Sequence, residues 1–133
     1  MKIAISVDSA ADLSKELIDR YNIAVVPFTV NLKDDSKLDG VTVTGAELLN
    51  FVDETGELPK TSAPSELAYQ EHFEKLLKNN DKVIHFCISR DLSVACNNAE
   101  RASSNFEGKV AVIDAMSLSS GIALPALYAC DLI

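Results

Sequence analysis

Three short apolar runs, KIAISV (2–7), KVIHFCI (82–88) and KVAVIDA (109–115), each lead through a polar turn into a segment of helical period. Runs of this length with little polar alternation are what strands covered on both faces of a parallel sheet require. Between and after them lie DLSKELIDRY (12–21), ELAYQEHFEKLLKNN (66–80), LSVACNNAERASSN (92–105) and GIALPALYACDLI (121–133). The first has Leu13, Leu17 and Ile18 on one helical face, and the second has Tyr69, Phe73, Leu76 and Leu77 at the same spacing. Strands alternating with helices predict an α/β fold, a mostly parallel sheet flanked by helices on both faces and joined by right-handed crossovers.

The stretch between the first two runs is less regular. NIAVVPFTVNL (22–32) reads as one further strand in which Pro27 removes a ladder donor and marks an edge or a bulge. KDDSKLDG (33–40) reads as a charged loop or hairpin tip, and Thr44 with Glu47 makes a T-x-x-E capping box ahead of AELLNFVDE. A chain of 133 residues without internal repeat or linker is expected to form one domain. Its last helix runs to Ile133 with no glycine or basic stop signal, so 121–133 reads as a cut helix or one that docks, with self-association through this apolar segment as one expectation.

Charge and cysteine content narrow the function. Twelve basic against twenty acidic residues give a net charge of −8, which would repel a phosphate backbone, so no nucleic-acid partner is expected. Cys87, Cys96 and Cys130 are odd in number and lack C-x-x-C spacing, favouring small buried thiols in a reducing compartment over a disulfide framework or zinc site. The two histidines, His72 and His85, have no partner at metal-ligand spacing, and His85 between Ile84 and Phe86 reads as structural. No metal is expected. The first residues lack the basic and long apolar regions of a signal peptide, and no apolar run reaches membrane-spanning length, so a cytoplasmic location is expected.

Ligands of open α/β sheets bind outside the carboxyl ends of the strands. There this chain places DSAAD (8–12), PKTSAPS (59–65), SRDLS (89–93) and SLSSG (117–121), all rich in hydroxyls and none with His or Cys. Helix capping accounts for Asp12, Thr44 and Ser65, and Ser9 with Asp12 would form an S-x-x-D cap. Thr61, Ser62, Ser89 and Ser93 exceed one cap per helix. Converging hydroxyls and helix N-termini suit an anion such as a carboxylate or phosphate. There is no G-x-x-x-x-G-K-[ST] and no G-x-G-x-x-G, so no nucleotide cofactor is expected. Without a G-x-S-x-G elbow or a histidine base, no serine is expected to act as a nucleophile. Asp8 ends a strand where a phosphoryl acceptor or general base would sit, although Asp is also a favoured turn residue.

Taken together, VDSAADLS (7–14), IAVVPFTV (23–30) with LDG (38–40), ELPKTSAPS (57–65), ISRDLSVACNNA (88–99) and VAVIDAMSLSSG (110–121) resemble the signatures of the DegV family, bacterial fatty-acid-binding proteins whose studied members serve as the binding subunit, FakB, of fatty acid kinase. The resemblance covers essentially the whole chain, and P-x-T-S-x-P-S followed by I-S-x-x-L-S is its specific part. It implies a protein that encloses one long-chain fatty acid and presents the carboxylate to a separate ATP-dependent kinase subunit without performing chemistry itself. By position, Thr61 and Ser93 would be the principal carboxylate contacts, Ser62 and the backbone around Leu92 secondary ones, and Ser9, Ser89 and Arg90 further candidates.

The chain departs from the family where S-S-G-L-S-G-T-Y becomes Ser89-Arg90-Asp91-Leu92-Ser93-Val94-Ala95-Cys96, losing two glycines. Arg90 would then pair with Asp91 or add a cation near the ligand. Family members run to about twice this length, so residues 1–133 resemble the N-terminal half, with the second domain absent. Two other readings compete: a phosphoryl or acyl transferase using Asp8 or Ser93, and a ligand-free assembly domain.

Overall fold

The computed structural model describes residues 1–133. Its elements in order are β1 (Ile3–Asp8), α1 (Lys15–Tyr21), β2 (Ala24–Val26), β3 (Thr29–Leu32), β4 (Asp35–Leu38), α2 (Gly45–Thr55), β5 (Lys60–Ser62), α3 (Glu66–Leu77), β6 (Lys82–Cys87), α4 (Ala95–Ser103), β7 (Val110–Asp114) and α5 (Ser120–Leu132), with 3-10 turns at Ser9–Ala11 and Ser104–Phe106. Four strands form an all-parallel sheet in the order β2-β1-β6-β7, in register Val7↔Val25, Val7↔Phe86 and Phe86↔Ile113. The expected α/β architecture is this sheet with helices on both faces.

The alternation of side chains across the pleat sorts β1 and β6 into two half-cores. Ile5, Val7 and Phe86 pack beneath Ile122, Ala123 and Ala126 of α5, with Leu13 and Tyr21 at the margin. On the other face Val83 and Cys87 meet Tyr69 and Phe73 of α3 and the small residues Ala95, Cys96, Ala99 and Ala102 of α4. Ser6, Asp8 and His85 are also fully buried. They alternate with Ile5, Val7 and Phe86, and therefore lie on the α3 side.

Four expectations need correction. Residues 22–32 are not one strand: Pro27 divides them into β2, in the parallel sheet, and β3, the centre of a separate antiparallel sheet of order β4-β3-β5. Proline has no N–H to continue the ladder, and the next amide, Phe28, donates to Ser9 Oγ at 3.0 Å instead of to a neighbouring strand. Residues 60–62, read as part of a turn, form β5 in register Val30↔Thr61 and Thr29↔Ser62. The first helix starts at Lys15 rather than residue 12, because Ser14 is its cap, accepting from Leu17 N at 3.3 Å. Asp12 instead closes the 3-10 turn in a left-handed conformation, and with Ser9 Oγ committed to Phe28 no S-x-x-D cap forms.

Other local predictions hold. Thr44 and Glu47 complete the capping box of α2, and Ser65 caps α3 through Ala68 N at 3.1 Å. The helix expected over 92–105 is regular only from Ala95. Leu92 and Ser93 spend their amides on Ser89 O, which makes a tight turn before the helix. No helix is long and apolar enough to cross a membrane.

Candidate functional site

The strand order reverses between β1 and β6, since the chain leaves β1 toward β2 and later adds β6 and β7 on its other side. Such a switch point is where an open α/β sheet opens a crevice. Asp8, the last residue of β1, stands there, and its carboxylate is fully used. Oδ1 accepts from Tyr69 Oη at 2.6 Å and from His85 Nε2 at 3.1 Å, and Oδ2 accepts from Ile88 N at 3.0 Å. His85 Nδ1 lies 2.9 Å from Ser6 Oγ, which lies 2.8 Å from His72 Nε2. Burial, reinforced by the Asp8 charge, pushes the Tyr69 hydroxyl far up, so it stays a donor. Burial also pushes His72 down to about 4, helped by His85 and Lys75.

Sequence reading took His85 as structural, which its burial and hydrogen bonds agree with, but did not join it to Ser6, Asp8, Tyr69 and His72. Asp8, His85 and Cys87 also bring one donor atom each within 4.8 Å of one another. That set does not suit a metal. Asp8 and His85 already satisfy one another, and burial pushes the Cys87 thiol far up, away from the thiolate a metal ligand must be. The same burial counts against Asp8 as a phosphoryl acceptor, because neither oxygen reaches solvent.

Above this buried base the four hydroxyl-rich turns are stitched together. Ser9 Oγ holds Phe28 N, Ser119 N donates to Ala10 O at 2.9 Å, and Ser89 N donates to Ser117 O at 2.9 Å. Asn98 Nδ2 of α4 donates to Pro64 O at 3.0 Å, tying the 59–65 segment to the same platform. At Gly121 an added Cβ would lie 1.9 Å from Ser117 Oγ and 2.5 Å from Ser117 Cβ, so glycine is what lets the β7 turn fold over the start of α5.

The candidate residues are distributed unevenly over the platform. Ser89 is buried and its Oγ accepts from Asp91 N at 3.2 Å, while Ser93 is half-buried with Oγ accepting from Ala95 N at 3.2 Å. Leu92 is 59% exposed between them. Thr61 and Ser62 alternate on the exposed β5, where Ser62 Oγ accepts from Asn31 Nδ2 at 2.9 Å. Thr61 lines an open groove of about 550 Å³ between α2 and the antiparallel sheet, with Val30, Leu48, Leu49, Val52 and Pro59. Ser93 lines neither that groove nor any of the four other main cavities. Arg90 does not pair with Asp91. It donates from Nε to Asp114 at 2.9 Å and from a terminal nitrogen to Glu100 at 2.7 Å, bracing the turn against β7 and α4. Asp114 is held below its usual range, first by the Met116 amide and then by Arg90.

A family model described as "Uncharacterised protein, DegV family" matches residues 2–133, and the chain belongs to the DegV family. It is 36% identical over 121 residues to a DegV domain-containing protein of Staphylococcus aureus, covering 91% of this chain and 43% of that protein. It is 33% identical to one from Clostridium perfringens, covering 99% and 48%. The chain thus spans about half the length of the curated relatives it matches. Among solved structures, a DegV family protein from Thermus thermophilus described by its fatty acid binding superposes with a TM-score of 0.90 at 33% identity, over 99% of this chain and 47% of that one. A stearic acid-binding protein from Eubacterium ventriosum gives 0.90 at 28% identity, covering 98% and 47%. DegV from Bacillus subtilis, a fatty acid binding protein, gives 0.91 at 26%, covering 99% and 47%.

Proposed function

We propose that this chain binds the carboxylate end of a long-chain fatty acid at the carboxyl ends of its parallel strands and presents it to a separate kinase subunit, with no chemistry of its own. The observation that carries this reading is the shared fold, at 26–33% identity, with proteins whose bound ligand is a fatty acid. The kinase role follows from the family resemblance of the motifs. Thr61 and Ser93 are the head-group contacts in this reading, with Ser62 beside them; the Asp91, Leu92 and Ser93 amides, expected as secondary contacts, are already bonded to Ser89. Arg90 is spent on two carboxylates of its own and adds no free cation to the site.

The energetics favour a tail-driven, head-oriented complex. A buried methylene contributes about 0.8 kcal/mol, so a tail of about fifteen supplies roughly 12 kcal/mol before the entropic cost of binding. A hydroxyl contributes about 1 kcal/mol, or about 1.5 to 3 when the acceptor is charged. The hydroxyls therefore orient the head group and satisfy it away from water more than they set affinity.

Native mass spectrometry of delipidated protein mixed with palmitate or oleate tests the reading. One fatty acid per chain is the expected result. Uptake of none, by this chain and by a longer relative half joined to it alike, would overturn it.

A further inference from the structure

Asp8 is the only acidic residue of the chain that is buried, and one of its oxygens holds a single backbone amide. That amide belongs to Ile88, the first residue beyond β6 and the start of the turn carrying Ser89, Leu92 and Ser93. The other backbone amides placed in this turn bond within it or to the neighbouring β7 turn, and the Arg90 side chain braces it farther along against Asp114 of β7 and Glu100 of α4. Leu92 N and Ser93 N return to Ser89 O, Asp91 N returns to Ser89 Oγ, and Ser89 N reaches Ser117 O. Asp8 is thus the side-chain link from β1 that holds the start of the turn, while Arg90 braces its middle.

The carboxylate is itself held in one orientation. An ionised Asp accepts only, so Tyr69 Oη and His85 Nε2 must both donate to Oδ1. Beyond His85 the chain of contacts continues through Ser6 Oγ, which lies 2.9 Å from His85 Nδ1 and 2.8 Å from His72 Nε2. All buried polar side-chain atoms find a partner. With Oδ1 held by Tyr69 and His85, Oδ2 is aimed at the Ile88 amide.

We propose that Asp8, held by Tyr69 and His85, is a positioning residue of the Ser89–Ser93 turn, fixing through the Ile88 amide the place where Ser93 meets a carboxylate ligand, without touching that ligand. The last step rests on the fatty-acid reading above. The first does not.

The test therefore has two arms on the same variants. Amide hydrogen exchange in the ligand-free chain is followed residue by residue for wild type, Asp8→Asn and Tyr69→Phe, with Ser6→Ala as a control two hydrogen bonds away from Asp8. Binding of cis-parinaric acid, displaced by oleate, is measured on the same samples. Asp8→Asn presents one oxygen where the carboxylate has two, so it cannot serve Ile88 and the Tyr69–His85 pair together. It should speed exchange of the Ile88, Ser89, Leu92 and Ser93 amides at least tenfold, leave β7 and α5 amides within twofold of wild type, and weaken parinarate binding at least fivefold. Tyr69→Phe, which keeps the carboxylate but loses one of its donors, should give the same pattern at about threefold and serves if Asp8→Asn does not fold. Ser6→Ala should leave the turn amides unchanged. Uniform acceleration across the whole chain, or unchanged turn amides in both Asp8→Asn and Tyr69→Phe, would overturn the positioning role. Faster turn exchange with undiminished parinarate binding would overturn its bearing on the ligand. Failure of wild type to bind parinarate would instead count against the fatty-acid reading, while the exchange arm still decides the role of Asp8.

Discussion

The parallel sheet and the antiparallel arm both bring hydroxyls to the same end of the molecule, but they hold them in opposite ways. On the parallel side, Ser6 and Ser89 are buried and hydrogen-bonded within the protein, above a core that includes Tyr69, Phe73 and His85 with no exposure at all. On the arm, all three residues of β5 are exposed, and Thr61 faces an open groove. The difference separates two tasks. Buried polar groups with complete partners specify one geometry and are costly to disturb, whereas an exposed hydroxyl on a short strand, such as that of Thr61, costs little to keep.

Substitutions graded along this contrast should give graded effects. The largest is expected from Phe73→Ala, which empties the space between α3 and the sheet and should lower unfolding free energy by about 3–5 kcal/mol in urea titration. A loss below about 1 kcal/mol would mean that this half-core is not the rigid side of the molecule.

Next comes acid. His72 lies at about 4 in the folded chain against 6.5 for an ordinary histidine, because burial, then His85 and Lys75, oppose its charging. Between those values the unfolded chain binds a proton that the folded chain does not, so stability is full above about pH 6.5 and falls as pH drops toward 4. The loss over that window is about 3 kcal/mol. His72→Gln, which keeps a donor toward Ser6 but cannot charge, should flatten this part of the stability profile.

Gly121→Ala is intermediate. Its Cβ meets Ser117 at two atoms, and overpacking of this kind costs about 1–3 kcal/mol. Ser117→Gly in the same chain should recover most of the loss in thermal unfolding. Smallest is Thr61→Ala, which removes an exposed hydroxyl and should change stability by less than about 0.5 kcal/mol. A larger effect would show that the arm shares the structural role of the core.

How much of this could be read from sequence follows the same division. The parallel sheet was legible because KIAISV, KVIHFCI and KVAVIDA are continuous apolar runs, and the caps Thr44 and Ser65 were legible because their chemistry is local. The antiparallel sheet was not. Its strands DSKL and KTS carry almost no apolar pattern, and the event that creates β3, the break at Pro27, leaves only the ambiguous signal of a proline inside an apolar run. The buried polar set was also missed, since Ser6 and His85 become neighbours only through a register set by residues almost eighty positions apart. A trace of it was present: Ser6 and Asp8, like His85 and Cys87, alternate with apolar residues, which places each pair on a single face of its strand. Arg90 was misjudged for a related reason. Its partners, Asp114 and Glu100, come from β7 and α4 and outcompete the adjacent Asp91.

Thr61 and Ser93 line no common cavity among the main ones, so the claim that both meet one fatty-acid carboxylate is the point on which the functional reading turns. It is tested most directly by the carbon resonance of oleate labelled with carbon-13 at its carboxyl, bound in turn to wild type, Thr61→Ala and Ser93→Ala. Each single variant is expected to move that resonance while the tail signals stay in place. A carboxyl signal identical in all three proteins would contradict the account.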